Sequence, residues 1–147
     1  MSTMKTKIIR IPKHAGFTLL EILVSIIILA VGLLGLASLQ ATSIRFNQSA
    51  YLRSQATVLA YDMIDRMRAN IVAAHNGNYD IAVTDTAPTG TSQLTDIDRR
   101  QWRIALSHLP SGTGGITHSG DQFTVIVQWD DSRGQSAAQQ FVVMTKL

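Results

Sequence analysis

The sequence predicts an α+β fold in which one very long N-terminal helix carries a small C-terminal antiparallel β-sheet head. Three observations lead there. Phe17–Leu39 is an almost unbroken apolar run, about the 20 residues a helix needs to cross a hydrocarbon core of about 30 Å. Beyond it Leu52, Ala56, Leu59, Met63, Met67 and Ile71 recur every three or four residues, the period of a helix with one apolar stripe. Near the C-terminus "DQFTVIVQWDD" alternates Phe123, Val125, Val127 and Trp129 with Thr124, Ile126 and Gln128, which is the pattern of a half-buried strand.

A chain of 147 residues has room for one small domain and one long accessory element. Its 13 Lys and Arg against 10 Asp and Glu give a formal net charge of +3. Four of those cations, Lys5, Lys7, Arg10 and Lys13, precede the apolar run, so the basicity belongs mainly to the leader. With no cysteine, the chain has neither a disulfide framework nor Cys-based zinc sites, and its compartment stays open on that ground.

The basic flank sets topology. Positive residues before a membrane helix stay in the cytoplasm, so residues 1–16 face inward and the C-terminal half faces outward in a single-pass, N-in arrangement. A secretory signal peptide has a shorter apolar core of about 7–15 residues and a small-residue cleavage site beyond it. Gly35, Ala37 and Ser38 supply small residues, but the pattern there continues as helix. Glu21 is the unusual feature, since a carboxylate about one turn inside an apolar segment is costly and ordinarily marks function and a cationic partner.

These residues carry a resemblance. "GFTLLE", Gly16 to Glu21, with its basic leader and the following "ILVSIIILAVGLLGLASLQ", resembles the class III signal of type IV prepilins and pseudopilins. The resemblance implies that prepilin peptidase cuts between Gly16 and Phe17 on the cytoplasmic side and that the new N-terminal Phe17 is N-methylated. It also implies that Glu21 pairs with the N-terminal amine of a neighbouring subunit in the assembling filament. "NQSAYLRSQATVLAYDMIDRMRAN", Asn47–Asn70, is similar to PilV-type minor pilins, which implies a ladle-shaped pilin fold, minor and major pilins as partners, and a place in the inner membrane before assembly into the extracellular pilus. The helix-bending proline common in major pilins is missing, Ser38 standing in that region.

The domain reading is residues 1–16 as leader, 17–40 as the transmembrane and assembly half of the helix, 41–74 as its amphipathic half, and 75–147 as the head. No proline interrupts Phe17–Ile71 and "HNGN", His75–Asn78, is the first stop signal, so the helix exceeds 50 residues and is roughly 80 Å long. Gly32 and Gly35 are weak points of about 1 kcal/mol each relative to Ala. Residues 75–95 read as a connecting loop. "DIDRRQWRIALSHL", Asp96–Leu109, reads as a short helix capped by Asp96 or Asp98 with Trp102, Ala105, Leu106 and Leu109 on one face. Ile116–His118 and "AAQQFVVMTKL" supply further strands, joined to the first by the turn "DDSRG"; without a disulfide, the sheet edge is held by packing or by a neighbour.

Nothing points to catalysis or to a cofactor. His14, His75, His108 and His118 form no HxxxH or HExxH spacing, the pairs Asp96/Asp98 and Asp130/Asp131 lack EF-hand spacing, and no GxSxG elbow occurs. Capping and turn formation account for the acidic pairs. Arg99, Arg100, Trp102 and Arg103 are a basic cluster with one aromatic residue, but nucleic-acid binding asks for a broader basic footprint, and the wet side of an amphipathic helix explains them better; a nucleic-acid partner is not expected. The sequence therefore reads as a minor pilin that primes or tips a type IV pilus and supports adhesion or motility, with a minor pseudopilin of type II secretion, or a DNA- or surface-binding pilin, as alternatives.

Overall fold

The computed structural model describes residues 16–90 and 92–147. The leader residues Lys5, Lys7, Arg10 and Lys13, and also His14, lie outside the described residues. The fold is α+β: a long N-terminal helix, two shorter helices and one small antiparallel sheet. The chain divides into two units, Met1–Ser43 and Ile44–Leu147.

Helix α1, Leu19–Ala69, contains 51 residues. Its first half, by length and composition, is suited to crossing a membrane, and every described side chain up to Ser43 is exposed. Within the second unit the helix buries Leu52, Ala56, Ala60, Met63, Ile64 and Met67. That stripe follows the predicted period with two adjustments: Leu59 is only partly buried, its place on the face shared by Ala60 and Ile64, and Ile71 is exposed.

The reason Ile71 leaves the stripe is that the helix stops before it. Asn70 adopts φ −127° and ψ 55°, outside the helical region, and separates α1 from a single-turn helix α2, Ile71–His75. Asparagine competes for hydrogen bonds outside the helix, and here its Nδ2 donates to the Tyr79 hydroxyl at 3.4 Å. Gly77, at φ +76°, then reverses the chain in a conformation that L-residues with a side chain avoid.

Helix α3, Leu94–Leu106, begins two residues earlier than predicted and is preceded by Gln93, which makes no capping bond. Neither Asp96 nor Asp98 caps it. Both lie inside the helix, past the capping position, and their carboxylates make charge-assisted bonds elsewhere: Asp96 meets Arg99 at 2.7 Å, and Asp98 meets Arg66 at 3.1 Å.

The sheet has the order β1-β2-β3, with β1 at Thr113–Ser119, β2 at Gln122–Trp129 and β3 at Gln139–Lys146. β1 and β2 form a hairpin in which Ser119 pairs Gln122, leaving the two-residue turn Gly120–Asp121, with Gly120 at φ +57° as such turns require. The alternation of β2 holds throughout: Phe123, Val125, Val127 and Trp129 are buried. In β3, Phe141 and Val143 pair opposite Val127 and Val125 and extend that inner face.

The core lies where α1, α3 and the inner face of the sheet meet. Trp102 is fully buried there, and its Nε1 donates to the Leu59 carbonyl at 2.9 Å. Gly114 permits the close approach of β1, since a Cβ at that position would lie 2.6 Å from the Trp102 ring and 2.7 Å from the Ile126 carbonyl. Ile81 adds one antiparallel bridge to Ile116, at 3.0 and 2.8 Å, covering part of the outer edge of β1.

Candidate functional site: the head of the long helix

The local sequence decides where α1 begins. Thr18 is its last non-helical residue, and the Thr18 Oγ1 accepts from the Glu21 backbone N–H at 3.2 Å. This is one half of a capping box, T-x-x-E, and it satisfies a backbone donor that the first helical turn leaves open. The spacing of Thr18 and Glu21 was visible in the sequence as a helix-start signal, and it adds a structural role for Thr18 that the family resemblance does not supply.

Two consequences follow for the chain at this point. Gly16 and Phe17 precede the helix and are exposed, Phe17 at 79%. The Gly16–Phe17 bond therefore lies in non-helical backbone. A Cβ at Gly16 would meet nothing within 4 Å, so folding of this chain does not demand glycine there.

Glu21 sits in the first helical turn, where the positive end of the helix dipole favours a carboxylate. Among the described residues its side chain has no hydrogen-bond or ion-pair partner. Its backbone carbonyl is engaged, accepting from the Ser25 hydroxyl at 2.7 Å. Phe17, Glu21, Ile22, Ser25, Ile26 and Leu29 line a shallow apolar groove of about 330 Å³ along the helix. Among the described residues the Glu21 carboxylate thus stands beside apolar side chains without a partner, and a carboxylate so placed ordinarily wants a cationic one.

In the second unit, Arg99, Trp102 and Arg103 of the four-residue basic cluster have structural tasks. Trp102 is in the core, as expected. Arg99 donates to the Asp80 carbonyl at 2.8 Å and to Asp96. Arg103 donates to the Ala82 carbonyl at 2.6 Å, to the Val83 carbonyl at 3.3 Å and to the Thr113 hydroxyl; burial pushes its pKa down from the ordinary arginine value. These arginines are more than a wetted face, because they fasten residues 80–83 to α3.

A polar junction accompanies them. The Tyr79 hydroxyl donates to Asp98 Oδ2 at 2.7 Å, while Asp98 Oδ1 accepts from Arg66. Burial, then the bond to Asp98, pushes the Tyr79 phenol up to about 12. Burial works against the charge on Arg66, but its bonds to Asp98 and Asp62 outweigh that and raise its pKa. Among the described residues, no group of three or more His, Asp or Glu is placed to hold a metal ion. His118 instead meets Asp80 at 2.7 Å and stacks on Phe123.

Residues 11–37 match the family model described as the prokaryotic N-terminal methylation motif. The chain carries a class III prepilin signal. That match supports a type IV pilin-like or pseudopilin-like protein, with processing by prepilin peptidase and association with other pilins implied by the signal. It fits anchoring of the apolar helix in the inner membrane before assembly. No curated protein and no solved structure matches the chain.

Proposed function

We propose that this chain is a minor pilin of the PilV type, incorporated in a type IV pilus, where it primes assembly or joins the tip complex and supports pilus-dependent adhesion or motility. The observation that carries the reading is Glu21, unpaired among the described residues, in the first turn of an apolar helix that follows an exposed, non-helical Gly16–Phe17 bond. The PilV assignment is supported by the likeness of Asn47–Asn70, and the missing helix-bending proline argues against a main structural subunit.

In this reading prepilin peptidase hydrolyses the Gly16–Phe17 bond, and Phe17 receives a methyl group on its new amine. Methylation of an amine retains the positive charge. That ammonium stands at the N-terminal end of its own helix, where the dipole disfavours a cation, and a carboxylate relieves it. Glu21 of an adjoining subunit supplies the carboxylate. In an apolar filament core each charge alone would suffer a desolvation penalty of several kcal/mol, and pairing offsets part of it. The leader blocks this pairing for as long as it remains attached, because its peptide bond leaves no amine at Phe17.

Replacement of Gly16 and of Glu21 separates the two steps. Gly16→Ala is expected to leave full-length precursor in the inner membrane, because no packing reason requires glycine at that position and any loss reports on the peptidase. Glu21→Ala is expected to be cut normally and to assemble poorly. Normal processing of Gly16→Ala would contradict the cleavage assignment, and undiminished incorporation of Glu21→Ala would contradict the pairing. Recovery of the chain in sheared pili supports the pilus over a type II secretion pseudopilus; recovery only with the secretion machinery assigns it there.

A further inference from the structure

In the second unit, Arg45, Phe46, Gln48, Arg133 and Gln135 help to line an open cleft of about 600 Å³ between the start of that unit's helical segment and the β2–β3 loop. The loop is fastened on itself and to the helix. Asp130 accepts from the Ser132 N–H and hydroxyl at 2.8 and 2.7 Å and from the Gly134 N–H at 2.6 Å. These donors, the Ser132 hydroxyl foremost, hold its carboxyl below the usual range. Asp131 accepts from the Ser49 hydroxyl at 2.8 Å. Arg133, between these anchors, is held at φ +58°, a conformation uncommon for a residue with a side chain and often found at binding sites.

The carboxylates of the loop are thus engaged by internal donors, while Arg45 and Arg133 have no carboxylate partner among the described residues. With Asp131 counted, the lining carries a net positive charge, and two glutamine amides add neutral donors. Planar guanidinium groups together with amides are the chemistry that recognises a phosphate diester.

The sequence places this chemistry at one depth. Arg45 is the first charged residue after the uncharged run Ile22–Ile44 and lies about 9 Å of helix beyond the Phe17–Leu39 span, so with that span in the hydrocarbon core it falls in the headgroup layer. Phe46 beside it is 71% exposed, as an aromatic side chain at a membrane boundary is placed. We propose that the Arg45–Arg133 cleft holds the phosphate of an anionic phospholipid in the leaflet on the head's side of the membrane, while the subunit awaits assembly. The proposal rests on the membrane-anchored reading above. Extraction of the subunit into a filament exchanges this lipid contact for contacts with other subunits, which makes the lipid a holding partner.

The test uses the full-length chain in nanodiscs of phosphatidylcholine and phosphatidylglycerol at 7:3, with lipid retained on the released protein counted by native mass spectrometry. A basic residue near an anionic surface contributes about fivefold in affinity, so Arg45→Gln with Arg133→Gln is expected to lower phosphatidylglycerol retention by about 25-fold. Arg45→Lys with Arg133→Lys is expected to keep most of it, and Arg68→Gln, whose native partner is Asp65, is expected to change nothing. Equal retention by wild type and the double glutamine variant would overturn the proposal. So would displacement of the lipid by equimolar inorganic phosphate, or by a DNA duplex, since the site would then take a free anion or a nucleic acid. Failure of the anchoring reading shows separately, as release of the wild-type chain from membranes by alkaline carbonate.

Discussion

From Gly16 to Ser43 the chain buries none of its side chains, although most are apolar; from Ile44 to Leu147 it builds a core with fully buried Trp102, Phe123, Met63 and Ile64. The same helix serves both regions, so helix formation does not distinguish them. What differs is the source of the solvent that apolar side chains avoid. The second unit supplies its own interior by covering one stripe of α1 with α3 and a sheet. Among the described residues the first has no covering element, and Leu, Ile and Val around its full circumference are suited to lipid or to other helices. Stability of the head is therefore a property of one chain, whereas that of the first unit depends on its surroundings.

This contrast is broken most forcefully at Trp102. Removal of a buried Trp costs about 3–5 kcal/mol, and Trp102→Ala also leaves the Leu59 carbonyl without its donor. Chemical denaturation of the full chain in detergent, followed by near-UV circular dichroism, is expected to show a loss of that size while membrane insertion is retained. Asp98→Ala comes next. It leaves Tyr79 without its acceptor and Arg66 with Asp62 and Gln101 as remaining partners, so a loss of about 2–3 kcal/mol is expected.

Tyr79 gives the contrast a pH dependence. Its pKa is about 12 in the folded head, above the ordinary phenol value of 10.0. A raised acid pKa means the fold favours the protonated phenol. The stabilisation is complete below about pH 10 and disappears as pH rises through about 12. Alkaline titration of head unfolding is expected to show this decline in the wild type and a weaker one in Tyr79→Phe. The smallest effect belongs to the first unit: Leu29, 61% exposed, is expected on replacement by Ala to shift head stability by no more than about 0.5 kcal/mol. A large shift would mean that the first unit packs on the head and would remove the contrast.

The features legible in the sequence were those with a local period. The α1 stripe, the apolar face of α3 around Trp102 and the alternation of β2 all follow from spacing alone. Asn70 was harder to place, because an Asn inside a helical pattern is tolerated unless something nearby holds it out, and Tyr79 is nine positions on. Asp98 looked like a cap because its true partners, Arg66 and Tyr79, come from α1 and from the loop after α2. The arginines of α3 looked merely solvated because backbone carbonyls of residues 80–83 have no sequence signature. At the head of α1 the functional motif was plain, and the structure adds Thr18, whose bond to the Glu21 N–H fixes the helix start one residue after it and leaves the Gly16–Phe17 bond outside.

The claim that joins these results is that the charged head of α1 becomes complete only after the leader is removed. N-terminal sequencing with intact-mass analysis of the mature chain from sheared pili tests it most directly. The account predicts a chain that begins at Phe17 and is heavier than the unmodified polypeptide by one CH2 unit, a methyl group having replaced one hydrogen on its terminal amine. A mature chain that retains Gly16 and the residues before it, or one that begins beyond Glu21, would contradict it.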